Sequence, residues 1–121
     1  MMRNENEGIT MKYAIWQIPV TDEILEDPIS NELRRDVIWG ERIEEAVKAN
    51  LYRLVGKIEA DNLEDVFEIG NIGPEKRIKR FGPMSCVSVG NLIEDEDGKF
   101  FVVKNIGFEE LSKTESVFRK I

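Results

Sequence analysis

Leu63-Glu64-Asp65-Val66-Phe67-Glu68-Ile69 opens the stretch that decides the fold. It continues through Gly73-Pro74-Glu75-Lys76-Arg77-Ile78-Lys79-Arg80-Phe81-Gly82-Pro83 and Ser88-Val89-Gly90-Asn91-Leu92-Ile93 to Phe100-Phe101-Val102-Val103. In its first part Leu63, Val66 and Phe67 stand at i, i+3 and i+4, the spacing that lines one side of a helix. Asp61 and Glu64 form a capping-box-like start, and Gly70 with Gly73-Pro74 ends a helix over 62–69. Phe67 reads as core, so its truncation to alanine should cost roughly 3–5 kcal/mol. At the far end, Leu92-Ile93 and Phe100 to Val103 flank Glu94-Asp95-Glu96-Asp97-Gly98-Lys99. Asp97-Gly98 is a turn signal, because glycine reaches positive φ without a Cβ penalty. A hairpin is expected, with Phe101 and Val103 on one side and Phe100 and Val102 on the other. Gly107 allows a bend after it.

Upstream, Lys12 to Ile18 alternates Tyr13, Ile15 and Gln17 against Ala14, Trp16 and Ile18. Both sets are largely apolar, as in a strand covered on both faces. Trp16 reads as core, and Pro19 ends the strand by removing a ladder donor. Thr21 caps a helical turn through Leu25, which Asp27-Pro28 interrupts. Helical spacing then covers 30–49 in two pieces. Ser30 is the expected cap for Leu33, Val37 and Ile38; beyond Gly40, Ile43, Ala46 and Val47 share a second face. Leu51 to Ile58 reads as a second strand, with Tyr52, Leu54 and Ile58 opposite Arg53, Val55 and Lys57. Gly56 there leaves room for a close neighbour or a bulge. Residues 1–10 are polar and aperiodic, a flexible lead-in. The tail from Ser112 to Ile121 places Val117, Phe118 and Ile121 on one helical stripe that would cover the sheet. The sum is one α+β domain over 11–121, with about four mostly antiparallel strands and two to three helices packed on them.

Composition narrows the chemistry. The chain has 121 residues, 41% hydrophobic and 34% charged, enough for one core and one domain. Its net charge of −7 disfavours wrapping duplex DNA over the whole surface. There is no histidine, which excludes Ser-His-Asp and Cys-His catalysis and imidazole metal ligands. Cys86 is the single cysteine, so no internal disulfide and no CxxC site forms; within Met84-Ser85-Cys86-Val87 it reads as a small buried hydrophobe. No apolar run approaches the roughly 18 residues of a membrane span, and no signal-peptide core opens the chain. The chain reads as cytosolic, with no cofactor, metal or catalytic residue assigned.

Several constellations dissolve on inspection. Glu94-Asp95-Glu96-Asp97-Gly98 lacks calcium-loop ligand spacing and the distal glutamate. Glu64-Asp65 and Glu109-Glu110 could pair as carboxylates, but helix-start charge and solubility explain them more simply. Gly70-Asn71-Ile72-Gly73-Pro74 matches no phosphate-loop motif. Two charge features remain. Residues 21–50 carry nine acids and four bases, while Lys76, Arg77, Lys79 and Arg80 against Glu75 give +3 within six residues. Phe81 adds an aromatic beside them. Three readings follow for Lys76, Arg77, Lys79, Arg80 and Phe81. They are a solvated loop or homodimer contact, a docking site for an unidentified protein partner, or a contact to a nucleotide or single-stranded nucleic acid.

The order of signals resembles the YodL-like domain family, small proteins of Firmicutes and their mobile elements. The resemblance rests on Tyr13 to Pro19, Leu51 to Ile58, Leu63 to Glu68, Ser88 to Ile93, Gly98 to Val103 and Gly107 to Leu111. Asn91 stands where aspartate is usual, and 76–83 is unusually basic. The resemblance implies the same α+β fold and a phage or plasmid setting, and it transfers no catalytic residue. The expected function is a non-enzymatic accessory protein that docks by charge complementarity, through either the acidic face of residues 22–45 on a basic groove or Lys76, Arg77, Lys79 and Arg80 on an acidic or phosphate surface; in that setting it modulates a host defence complex.

Overall fold

The computed structural model describes residues 10–111. The expected stripe of the C-terminal tail and most of the expected N-terminal lead-in lie outside these residues. In chain order the elements are β1 (Met11–Gln17), α1 (Asp22–Glu26), α2 (Pro28–Val37), α3 (Ile43–Lys48), β2 (Arg53–Ala60) and α4 (Leu63–Ile72). A 3-10 turn (Glu75–Arg77) then leads into β3 (Ile78–Arg80), β4 (Leu92–Glu94), β5 (Phe100–Val103) and β6 (Phe108–Leu111). The strands form one antiparallel sheet in the order β3-β2-β1-β4-β5-β6. The α+β class stands; among the described residues the sheet has six strands rather than about four, and four helices pack on it. The two extra strands sit at the edges. β3 arises where a loop is expected, and β6 follows the Gly107 bend.

The two-sided apolar pattern of β1 is explained by its place in the middle of the sheet. One core joins Ile24, Leu33, Val37, Ala46 and Val47 from α1–α3 to Leu92, Phe100 and Val102, with Trp16 packed against it. On the other face Val66 and Ile69 of α4 meet Tyr13, Ile15, Ile58, Ile93 and Val103. Phe100 and Val102 therefore point one way and Val103 the other, as the hairpin alternation requires. The hairpin turn is held by Asp95, whose Oδ1 accepts from the N–H groups of Asp97 and Lys99 at 2.9 Å each; Gly98 adopts φ +85.

Gly56 fulfils both halves of its expectation. Ile15 pairs with Gly56 but Trp16 with Leu54, so Val55 is an extra residue, a β-bulge. The bulge puts Val55 in the same core as Ile58, reversing the expected alternation, and leaves Leu54 40% exposed. A Cβ on Gly56 would lie 2.6 Å from the Lys79 carbonyl oxygen, so glycine is what lets β3 approach β2.

Local details correct four expectations. α2 starts at Pro28 and is capped by Asp27 rather than Ser30: Asp27 Oδ2 accepts from Ser30 N–H at 3.2 Å. Proline tolerates that first turn because its missing N–H has no helical partner to lose. The start of α4 is displaced by one residue, with Asn62 Oδ1 accepting from Asp65 N–H at 2.8 Å and Asp65 Oδ2 accepting from Asp61 N–H at 3.0 Å. α4 also runs past Gly70 to Ile72, which makes Val66 and Ile69 the buried pair and leaves Phe67 41% exposed. At that exposure a Phe67→Ala cost of about 1–2 kcal/mol replaces the core value. Cys86 is exposed rather than buried, because the segment after β3 lies on the surface and turns Val87 inward instead.

Candidate functional site

The basic segment is built by three devices. The 3-10 turn brings Lys76 and Arg77 to the sheet edge. β3 pairs with β2 in the register Gly56–Arg80, Lys57–Lys79 and Ile58–Ile78. Phe81 N–H then donates to the Val55 carbonyl at 2.9 Å, which fixes the aromatic beside β2. Side chains alternate along β3, so Lys79 and Arg80 point to opposite faces.

The five residues singled out in the sequence accordingly divide. Lys76, Arg77, Lys79 and Phe81 line one depression of about 210 Å³, together with Lys12 of β1 and Lys57 and Glu59 of β2. Arg80 faces the other side. Its Nε and Nη2 donate to the Glu75 carboxylate at 2.7 and 3.0 Å, and Nη1 donates to the Met84 carbonyl at 3.2 Å. That bidentate contact holds the Glu75 carboxyl below its ordinary range and raises the Arg80 guanidinium. Arg80 thus braces the turn, while its neighbours supply the open charge. Lys12 and Lys57 are the residues that sequence reading missed. Lys57 was visible on the wet side of the second strand, but only the register places it directly opposite Lys79.

The electrostatics of the depression are one-sided. Five cations surround it against the single carboxylate of Glu59. Lys12 faces Glu59 across the β1–β2 ladder, whereas Lys57 faces Lys79. Like charges directly opposite on paired strands are destabilising, so this arrangement works against the fold. Among the described residues no ion pair joins any of the five to a carboxylate. All but Arg77 are exposed. A depression of this size is smaller than the roughly 300–1,000 Å³ that encloses a small molecule; it is an open, cationic sheet face with an aromatic at its rim.

The acidic helical layer is differently arranged. Arg42 takes the left-handed conformation, φ 57, and pairs with Glu32 at 3.2 Å, Asp36 at 2.9 Å and Glu45 at 2.8 Å. Hydrogen bonding to Glu45 and then Asp36 raises the Arg42 guanidinium, and the same bond lowers the Glu45 carboxyl. One cation therefore engages three of the nine acids of this layer. No group of three or more metal-ligating side chains occurs among the described residues. Four depressions on the described surface contain Glu75, Glu59 or Glu64 singly, or no carboxylate, so none of the four pairs two acids for hydrolysis.

A third arrangement is a part-buried hydrogen-bond network around Gln17. Gln17 is buried at the end of β1, and its Nε2 donates to the carbonyls of Ser85 and Cys86 at 3.0 and 3.3 Å and to Asn91 Oδ1 at 3.0 Å. Its Oε1 accepts from Ser85 N–H at 3.1 Å. Asn91 Oδ1 also accepts from Ser88 N–H at 2.9 Å, which closes the Ser88-Val89-Gly90 turn. An aspartate oxygen could accept both bonds as well. No helix among the described residues is long and apolar enough to cross a membrane. No family model, no curated protein and no solved structure matches this chain.

Proposed function

We propose that this chain is a non-enzymatic docking protein that recognises an anionic partner by charge complementarity. The observation that carries this reading is the convergence of Lys12, Lys57, Lys76, Arg77 and Lys79 on one open sheet face, with Lys57 and Lys79 directly opposed. A local rule broken with one carboxylate against five cations is what a functional surface leaves behind. The acidic layer is the weaker candidate, because Arg42 already engages Glu32, Asp36 and Glu45. In the mobile-element setting implied by the YodL-like resemblance, such a protein fits the role of a modulator that engages an anionic surface or strand of a host defence complex.

Retention on an immobilised polyanion such as heparin tests the reading. A protein of net charge −7 is repelled by the resin unless a local cationic face engages it. The wild type should be retained at low salt, and the triple variant Lys57→Ala, Lys76→Ala, Lys79→Ala should flow through. Equal elution of the two proteins contradicts the proposal.

A further inference from the structure

Resting on the docking reading above, we infer that the anionic partner is a single-stranded nucleic acid that crosses β1–β3 at Lys12, Lys57 and Lys79 and stacks a base on Phe81. Three features of the depression favour a phosphate chain over an acidic protein. First, four of its five cations are lysines. Protein interfaces are depleted in lysine and enriched in arginine, whereas a lysine serves a phosphate as a point charge without a fixed fork geometry. Second, the site is small, about 210 Å³, and spread over three adjacent strands, which lie about 4.8 Å apart. A row of charges on that scale follows an extended backbone and does not enclose a compact nucleotide.

Third, Phe81 is 47% exposed at the rim of the same depression and is anchored to β2 by its own N–H. An aromatic fixed beside a cationic groove is the combination that sequence-tolerant single-strand binders use, charge for the backbone and a ring for the base. The rest of the molecule selects against duplex. Its net charge of −7 means that a rigid double helix reaching beyond the patch would bring phosphates against carboxylates. A flexible single strand can stay within the cationic area.

Fluorescence anisotropy with labelled oligothymidylate and oligouridylate of roughly 12 nucleotides tests the inference. A duplex of equal length, heparin and polyglutamate serve as competitors. Single strands should bind more tightly than the duplex. The slope of log K against log salt should approach about −3.5 for five phosphate contacts and shrink by about 0.7 for each of Lys57→Ala and Lys79→Ala. Phe81→Ala should weaken single-strand binding roughly tenfold while leaving heparin retention unchanged. Removing either opposed lysine relieves repulsion, so these variants should fold at least as well as the wild type. If heparin and polyglutamate bind but single strands do not, or Phe81→Ala has no effect, the nucleic-acid inference fails and the docking reading survives. If no polyanion binds, both fail.

Discussion

Gly70 shows how a single atom decides a packing problem. It lies inside α4, where alanine would ordinarily gain about 1 kcal/mol of helix propensity. A Cβ there would stand 2.3 Å from Val87 Cγ2, and Val87 is fully buried and has no room to yield. Overpacking costs about 1–3 kcal/mol and outweighs the helix gain. Gly70→Ala should therefore lower the urea unfolding midpoint, and adding Val87→Ala should cost less than the two single changes summed. A Gly70→Ala protein as stable as wild type would show that the α4–Val87 contact is looser than described. Tyr52 is the second residue with a measurable signature. Its hydroxyl donates to the Gly90 carbonyl at 2.6 Å, and burial raises its pKa above 10.0. Because the folded state holds the proton more tightly, the stabilisation is complete below the unfolded value near 10. It is lost as the pH climbs from there toward the raised folded value. Wild type should lose stability above pH 10 more steeply than Tyr52→Phe, and parallel profiles would contradict this; Tyr13, also raised by burial and nearby acids, gives both proteins a shared background. Neither role was legible in the sequence. Gly70 reads as a helix stop and Tyr52 as one more apolar position, because both depend on partners far along the chain.

β3 connects the architecture to the candidate site. It is a three-residue edge strand bearing Lys79 and Arg80, and charge on an edge also guards against strand addition by another molecule. Its hold on β2 depends on Gly56, because an added Cβ would meet the Lys79 carbonyl oxygen at 2.6 Å. Gly56→Ala should cost about 1–3 kcal/mol, speed amide exchange over Ile78–Arg80 and weaken retention on a polyanion, since Lys79 would no longer face Lys57. Unchanged exchange in β3 would contradict that account of Gly56. The hairpin and the first two strands were legible because each carries alternation or a turn residue whose geometry is local. β3 and β6 were not. Ile78–Arg80 and Phe108–Leu111 are short and half charged, and their strand character comes from the ladder they join. The bulge at Val55 likewise hid the true parity of β2. Most of the basic residues of the depression were visible as a run, but Arg80 could be separated from them, and Lys12 and Lys57 added, only through the register.

At the scale of the whole molecule, charge is segregated on an otherwise conventional sandwich. Among the described residues α1–α3 pack an acidic layer on one sheet face, and β1–β3 carry the cationic depression. The helical layer is braced by ion pairs that are largely exposed and so contribute little individually to stability. The cationic face contributes negatively through the Lys57–Lys79 opposition. Recognition and stability should therefore move in opposite directions at this pair, which a purely structural basic edge would not show. Lys79→Glu separates them most directly. It places a carboxylate opposite Lys57, and such a cross-strand pair is worth about 0.2–1 kcal/mol. Urea unfolding and polyanion affinity should be measured on this variant beside wild type. Stability equal or higher together with loss of polyanion binding is the expected result. Retained binding, or a stability loss of about 1 kcal/mol or more, would contradict a cationic face kept for recognition at the expense of the fold.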